Sequence, residues 1–171
     1  MADLTSQDRL QPALLDRLTD EEPGQKLESR DRRVVSLRRL REGVLRDLAW
    51  LLNTGSLSQT EDLSAYPFVP ASVLNFGIRD LAGTSLSGVD PTELERRLRQ
   101  AILDFEPRIL RRTLKVRAVT TSDPEHRNSI AFEIEGELWA QPVPLRLYLK
   151  SELDLEDGSI TVTDRSEGGP A

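Results

Sequence analysis

A chain of 171 residues, 37% hydrophobic and 30% charged, fits one globular domain able to bury roughly 70% of its unfolded surface. It has no cysteine and a single histidine, His126 in a polar turn, which excludes disulfides, thiolate nucleophiles and iron–sulfur ligation and leaves little for imidazole chemistry. A net charge of −6 argues against general nucleic-acid binding. No apolar run reaches the roughly 20 residues of a spanning helix, and the opening Met-Ala-Asp-Leu-Thr lacks a signal peptide's basic and apolar regions, so a cytoplasmic address is expected.

Residues 6–18 place Leu10, Leu14, Leu15 and Leu18 on one helical stripe, closed by the breaker Asp20-Glu21-Glu22-Pro23-Gly24. So short a helix is marginal in water and needs a surface to lie on, its own domain or another protein. Residues 1–29 therefore read as an N-terminal arm, residues 30–165 as the domain and residues 166–171 as a disordered tail. From about Arg33 to Leu52, Leu37, Leu40, Val44, Leu45, Leu48, Leu51 and Leu52 recur at three and four, predicting a long helix with one face in the core. Asn53 or Gly55 is expected to take the left-handed cap. Residues 56–87 form a long loop with a short helix over Ala71–Phe76, and such loops are pinned by their own aromatics or used for contact.

The next helix carries full punctuation. Asp90 is its N-cap, Pro91 its first residue, Glu93 closes a capping box, Val89 staples to Leu94, and Pro107 forces an exit near Phe105. Glu106 and Arg108 are expected to project from this stiff corner as an ion-pair dock. On that reading Arg108→Ala alters stability by less than about 0.5 kcal/mol, as exposed charge changes do, and abolishes assembly.

Beyond Pro107 the period drops to two. Leu114, Val116 and Ala118, then Ile130, Phe132, Ile134 and Leu138, then Leu145, Leu147, Leu149, Leu153 and Leu155 alternate with polar residues, and Asp157-Gly158 turns into a last strand at Ile160–Thr163. The fold class is α+β, with N-terminal helices on one face of a C-terminal antiparallel meander and the other face wet. Gln141-Pro142-Val143-Pro144 suits a connection or an edge.

Charge is segregated. The stretches Lys26–Arg46 and Arg96–Arg117, including Arg111 and Arg112, are basic, and acid gathers at residues 16–22 and 152–157. The basic faces are either solvated or a surface for acidic partners. Chemistry finds little support: no nucleophile elbow, phosphate loop, dinucleotide fingerprint or zinc-helix motif occurs, and Glu133, Glu135 and Glu137 lie on a strand's solvated face without the apolar pocket of a general acid. An arginine beside Glu106 opposes general-acid duty. No catalytic residue, metal or cofactor is expected.

Leu14-Leu15-Asp16-Arg17-Leu18, Arg46-Asp47-Leu48-Ala49-Trp50-Leu51-Leu52-Asn53-Thr54, Ser72-Val73-Leu74-Asn75-Phe76-Gly77 with Asp80-Leu81, and Phe105-Glu106-Pro107-Arg108 occur in order along the chain. Together they resemble the type VI secretion baseplate subunits of the TssE family, within the wider group of phage baseplate wedge proteins once named for a lysozyme-like activity. The resemblance implies a non-enzymatic part of a contractile injection machine, assembled at the inner face of the cell envelope. It implies docking to other wedge subunits through Glu106, Pro107 and Arg108, and a strand-bearing surface on which the contractile sheath starts. Leu14, Leu15, Arg17, Arg111 and Arg112 complete the expected partner-binding set. The hairpin Leu145–Thr163 is the expected strand-accepting edge, by β-augmentation. A peptidoglycan-cleaving hydrolase and an anti-adaptor of similar fold are the rival readings.

Overall fold

The computed structural model describes residues 13–19, 37–78, 90–119, 129–140 and 144–165. Three α-helices, α1 (Leu14–Leu18), α2 (Leu37–Leu52) and α3 (Pro91–Phe105), precede four strands, β1 (Lys115–Val119), β2 (Ser129–Leu138), β3 (Leu145–Asp154) and β4 (Ile160–Asp164). The strands form one antiparallel sheet in the order β1-β2-β3-β4, the expected meander. Period-two alternation gives the sheet two unlike faces. One carries Val116, Phe132, Ile134, Leu147, Leu149, Leu153 and Ile160, all buried. On the other, Lys115 stands across from Glu135, Arg117 from Glu133, Glu133 from Lys150 and Glu137 from Arg146, so opposite charges meet between strands.

Helices α2 and α3 cover the apolar face, α2 toward β4 and α3 toward β1. Leu40, Val44, Leu48, Leu51 and Leu52 of α2 and Leu94, Leu98 and Ile102 of α3 complete the core. The start of α3 follows its punctuation, with Asp90 accepting from the Thr92 N–H. Glu93 departs from it: its carboxylate turns to Arg96 and Arg97 rather than back to the cap. Arg96 and then Arg97 hold the Glu93 pKa down at about 2. Val89, like residues 6–12, 33–36 and His126, lies outside the described residues.

The end of α2 corrects another expectation. Neither Asn53 nor Gly55 takes a left-handed conformation; among the described residues only Gly77 and Gly158 have positive φ. Asn53 instead uses its side chain, donating from Nδ2 to the Ala49 and Ile160 carbonyls and accepting the Ile160 N–H, so it ties the helix to the outer side of β4. In place of the helix expected at Ala71–Phe76, a single 3₁₀ turn forms at Val73–Asn75, with Ser72 as its cap.

Candidate functional site

The corner after α3 is built by Pro107. Glu106 leaves the helix with φ −118° and ψ 79°, while its N–H still donates to Ile102. The chain then runs beside the end of β2, where the Trp139 N–H donates to the Arg108 carbonyl at 2.7 Å and the Leu110 N–H to Glu137 at 2.8 Å. The corner is therefore anchored to the sheet as well as to α3.

This anchoring turns the signature inward. Glu106 is 3% exposed, one of two buried polar side chains among the described residues, and does not project as expected. Its Oε1 accepts from the Arg108 N–H at 3.0 Å and from Nε at 2.7 Å, and its Oε2 accepts from Nη2. Arg108 Nη2 also donates to Asp47 Oδ2 of α2 at 2.6 Å. The fork geometry of arginine permits this double pairing, which an ammonium would not reproduce. Burial alone would lower the Arg108 pKa, but Glu106 and then Asp47 outweigh it and the pKa is raised.

The chain of charges continues across α2. Arg46 Nε donates to Asp47 Oδ1 at 2.9 Å, and Nη1 donates to Asp16 of α1 at 2.6 Å. The guanidinium also lies over the Trp50 ring, 5.2 Å from its centroid. Hydrogen bonding to Asp16 is the chief cause of a raised Arg46 pKa. Gly43 lies beneath this meeting: a Cβ there would stand at ordinary contact, 3.5 Å from Asp16 Oδ2 and 3.6 Å from Arg108 Nη1. Five charged side chains from α1, α2 and the corner thus form one relay, Asp16–Arg46–Asp47–Arg108–Glu106.

The relay also settles how α1 sits. The short helix is held through Asp16, while Leu14 and Leu18 remain 69% and 74% exposed and Leu15 is exposed too. Of the other expected partner-binding residues, Pro107 and Arg112 are exposed and Arg108 is half-buried. Arg111 folds back onto α3, donating to the Leu103 carbonyl at 3.0 Å. The Arg17 side chain lies outside the described residues. Much of the expected basic surface is engaged within the molecule: Arg96 and Arg97 on Glu93, Arg99 on the Leu114 carbonyl and Arg38 on Glu42.

Sequence reasoning missed Asp16, Arg46, Asp47 and Gly43 as parts of this site. The available signal was Gly43, a glycine in mid-helix that costs roughly 1 kcal/mol against alanine and so implies a close approach, followed by the ion-pair dipeptide Arg46-Asp47 on the same side.

Such an arrangement pins elements together rather than moving protons, since every charged oxygen of Glu106 already faces Arg108. Residues 38–143, more than half of the chain, match the family model of the baseplate wedge protein gp25. The chain belongs to that family. The match agrees with the resemblance carried by the corner motif and by the α2 motif, both of which fall within it. No curated protein and no solved structure matches the chain. A place among baseplate proteins follows from the family, and among the described residues no helix is long and apolar enough to cross a membrane.

Proposed function

We propose that this chain is a non-enzymatic structural subunit of a type VI secretion baseplate that docks on other wedge subunits at the surface organised by Glu106-Pro107-Arg108 and offers a sheet edge to the contractile sheath. The observation that carries the docking reading is the relay, because it fixes outward-facing leucines of α1 beside the partly exposed Arg108 on one rigid frame. In this reading Glu106 acts through Arg108, orienting it and never touching the partner. Leu14, Leu15, Arg108, Pro107 and Arg112 provide the contact, with a partner that supplies apolar and acidic groups.

For the sheath, the two edges of the sheet differ. Along β1, Glu95 accepts the Ala118 N–H at 2.6 Å and Arg99 reaches the Leu114 carbonyl, so α3 guards that edge. Along β4, Asn53 covers Ile160. The alternation of the strand turns the N–H and C=O of Val162 to the same outer side, which favours β4 of the C-terminal hairpin as the accepting edge.

The test is co-purification with co-expressed wedge subunits, using Leu14→Ser and Arg112→Glu in the full chain with melting temperature measured alongside. Both residues are exposed, so melting should hold near wild type while wedge binding drops. Unchanged binding in the double variant would remove the corner as the docking surface.

A further inference from the structure

Residues 54–78, which follow α2, hold far more internal hydrogen bonding than their composition suggests. Its base is clamped where the Ser56 N–H donates to Ile78 at 3.0 Å, the Ile78 N–H to Thr54 at 2.8 Å and Gln59 Nε2 to Ile78 at 2.7 Å. Gly77 permits the clamp: its φ is +128°, and a Cβ there would collide with the Thr54 carbonyl. Inside the loop, turns close in succession from Leu63 to Asn75, and the Asn75 side chain joins the Ser58 N–H to the Pro70 carbonyl at 2.9 Å each. Phe76 seals the loop onto α3 by an edge-on contact with Phe105 at 5.4 Å.

On this rigid frame the large apolar side chains face out. Phe68 is 88% exposed and Val73 82%, with Tyr66 and Leu74 also well exposed. Their exposed areas sum to on the order of 500 Å², far more than one isolated surface hydrophobe presents. A frame already fixed by its own hydrogen bonds loses little entropy when such side chains are covered.

Charge decides what covers them. Between Thr54 and Ile78 the only charged residues are Glu61 and Asp62, and Asp62 is fixed by accepting from both the N–H and the hydroxyl of Ser64. A second copy of this loop would bring acid against acid, and an anionic lipid surface would repel it likewise. A protein cleft with an apolar floor and a lysine- or arginine-bearing rim satisfies both features.

We propose that Gly55–Ile78 is a preformed knob that inserts Phe68 and Tyr66 into an apolar, basic-rimmed cleft of a neighbouring protein subunit, with Glu61 and Asp62 pairing to the rim. The inference rests on the baseplate reading for the identity of the neighbour, a wedge subunit, and is independent of the Glu-Pro-Arg corner. The experiment is affinity measurement of the full chain against purified, co-expressed wedge subunits, comparing wild type, Phe68→Ser and the charge reversal Glu61→Lys with Asp62→Lys. Phe68→Ser is expected to weaken binding at least about tenfold, the loss typical of a buried aromatic anchor, with the melting temperature unmoved. The charge reversal should weaken binding too, and more so at low salt than at high salt. Wild-type affinity in Phe68→Ser, or equal or tighter binding on charge reversal, would overturn the knob while leaving the baseplate reading standing. Failure of the wild type itself to bind any wedge subunit would overturn both. Self-association, or binding to anionic vesicles, that disappears in Phe68→Ser would assign the patch to the excluded occupants and overturn the proposal.

Discussion

Replacing Arg108 by alanine is expected to destabilise the protein by about 3 kcal/mol, not the few tenths proper to a surface charge. The substitution strips the Glu106 carboxylate, 3% exposed, of its positive partner and of the two hydrogen bonds from Arg108 Nε and Nη2, leaving only the backbone N–H of residue 108. Removing one member of a buried pair costs about 3–5 kcal/mol, mostly as an uncompensated buried charge, and the 24% exposure of Arg108 places this case at the low end. For a domain of this size that is a fall of roughly 6–12 °C in melting temperature. Urea unfolding followed by circular dichroism measures it, and the double variant Glu106→Gln with Arg108→Ala should recover a substantial part, since the stranded charge is then gone. A single-variant cost under about 1 kcal/mol, or no recovery in the double variant, would refute the reasoning. Loss of assembly in Arg108→Ala is consequently ambiguous between a missing contact and a loosened fold.

Gly43→Ala should be neutral or stabilising by up to about 1 kcal/mol, because the new methyl meets Asp16 and Arg108 at ordinary contact distance, whereas Gly43→Leu should break the relay and release α1; thermal melts and amide exchange at residues 14–18 distinguish the two. Asn53→Ala is expected to cost about 2 kcal/mol, since the Ile160 N–H and carbonyl lose their partner, and urea unfolding reads this directly. For pH, Glu93 is the informative group: its pKa is held at about 2 against an ordinary 4.5, so its contribution is complete above 4.5 and fades as pH falls toward 2. Acid titration of stability should therefore be flatter through that window in Glu93→Gln, and identical slopes would show that the pairing with Arg96 and Arg97 contributes nothing.

What the sequence made legible follows from how local each determinant is. The bounds of α3 and the four strands are encoded by caps, proline and strict alternation within a few residues, and they appear as read. The inward turn of Glu106 was not legible, because its meaning depends on Asp47, 61 positions before Arg108, and on Asp16, 30 positions before Arg46. Two charges flanking a proline look the same whether they face water or α2; only packing of α2 against α3 decides. Likewise Asn53 reads as a helix stop, and its second duty on Ile160 exists only once β4 is laid 107 positions later beside it.

The same nonlocal contacts constrain how the molecule could serve as a template. A sheet that accepts a foreign strand must keep an edge open in the complex without exposing it to indiscriminate pairing beforehand. Glu95 and Arg99 hold the β1 edge from α3, while Asn53 holds only the start of β4 from α2. The guard on β4, Asn53, directly follows α2, six to seven residues beyond Asp47 and Arg46 of the relay, so α2 connects both surfaces. Arg108 bonds this span through Asp47 at one point, and Asn53 bonds it to Ile160 at the other.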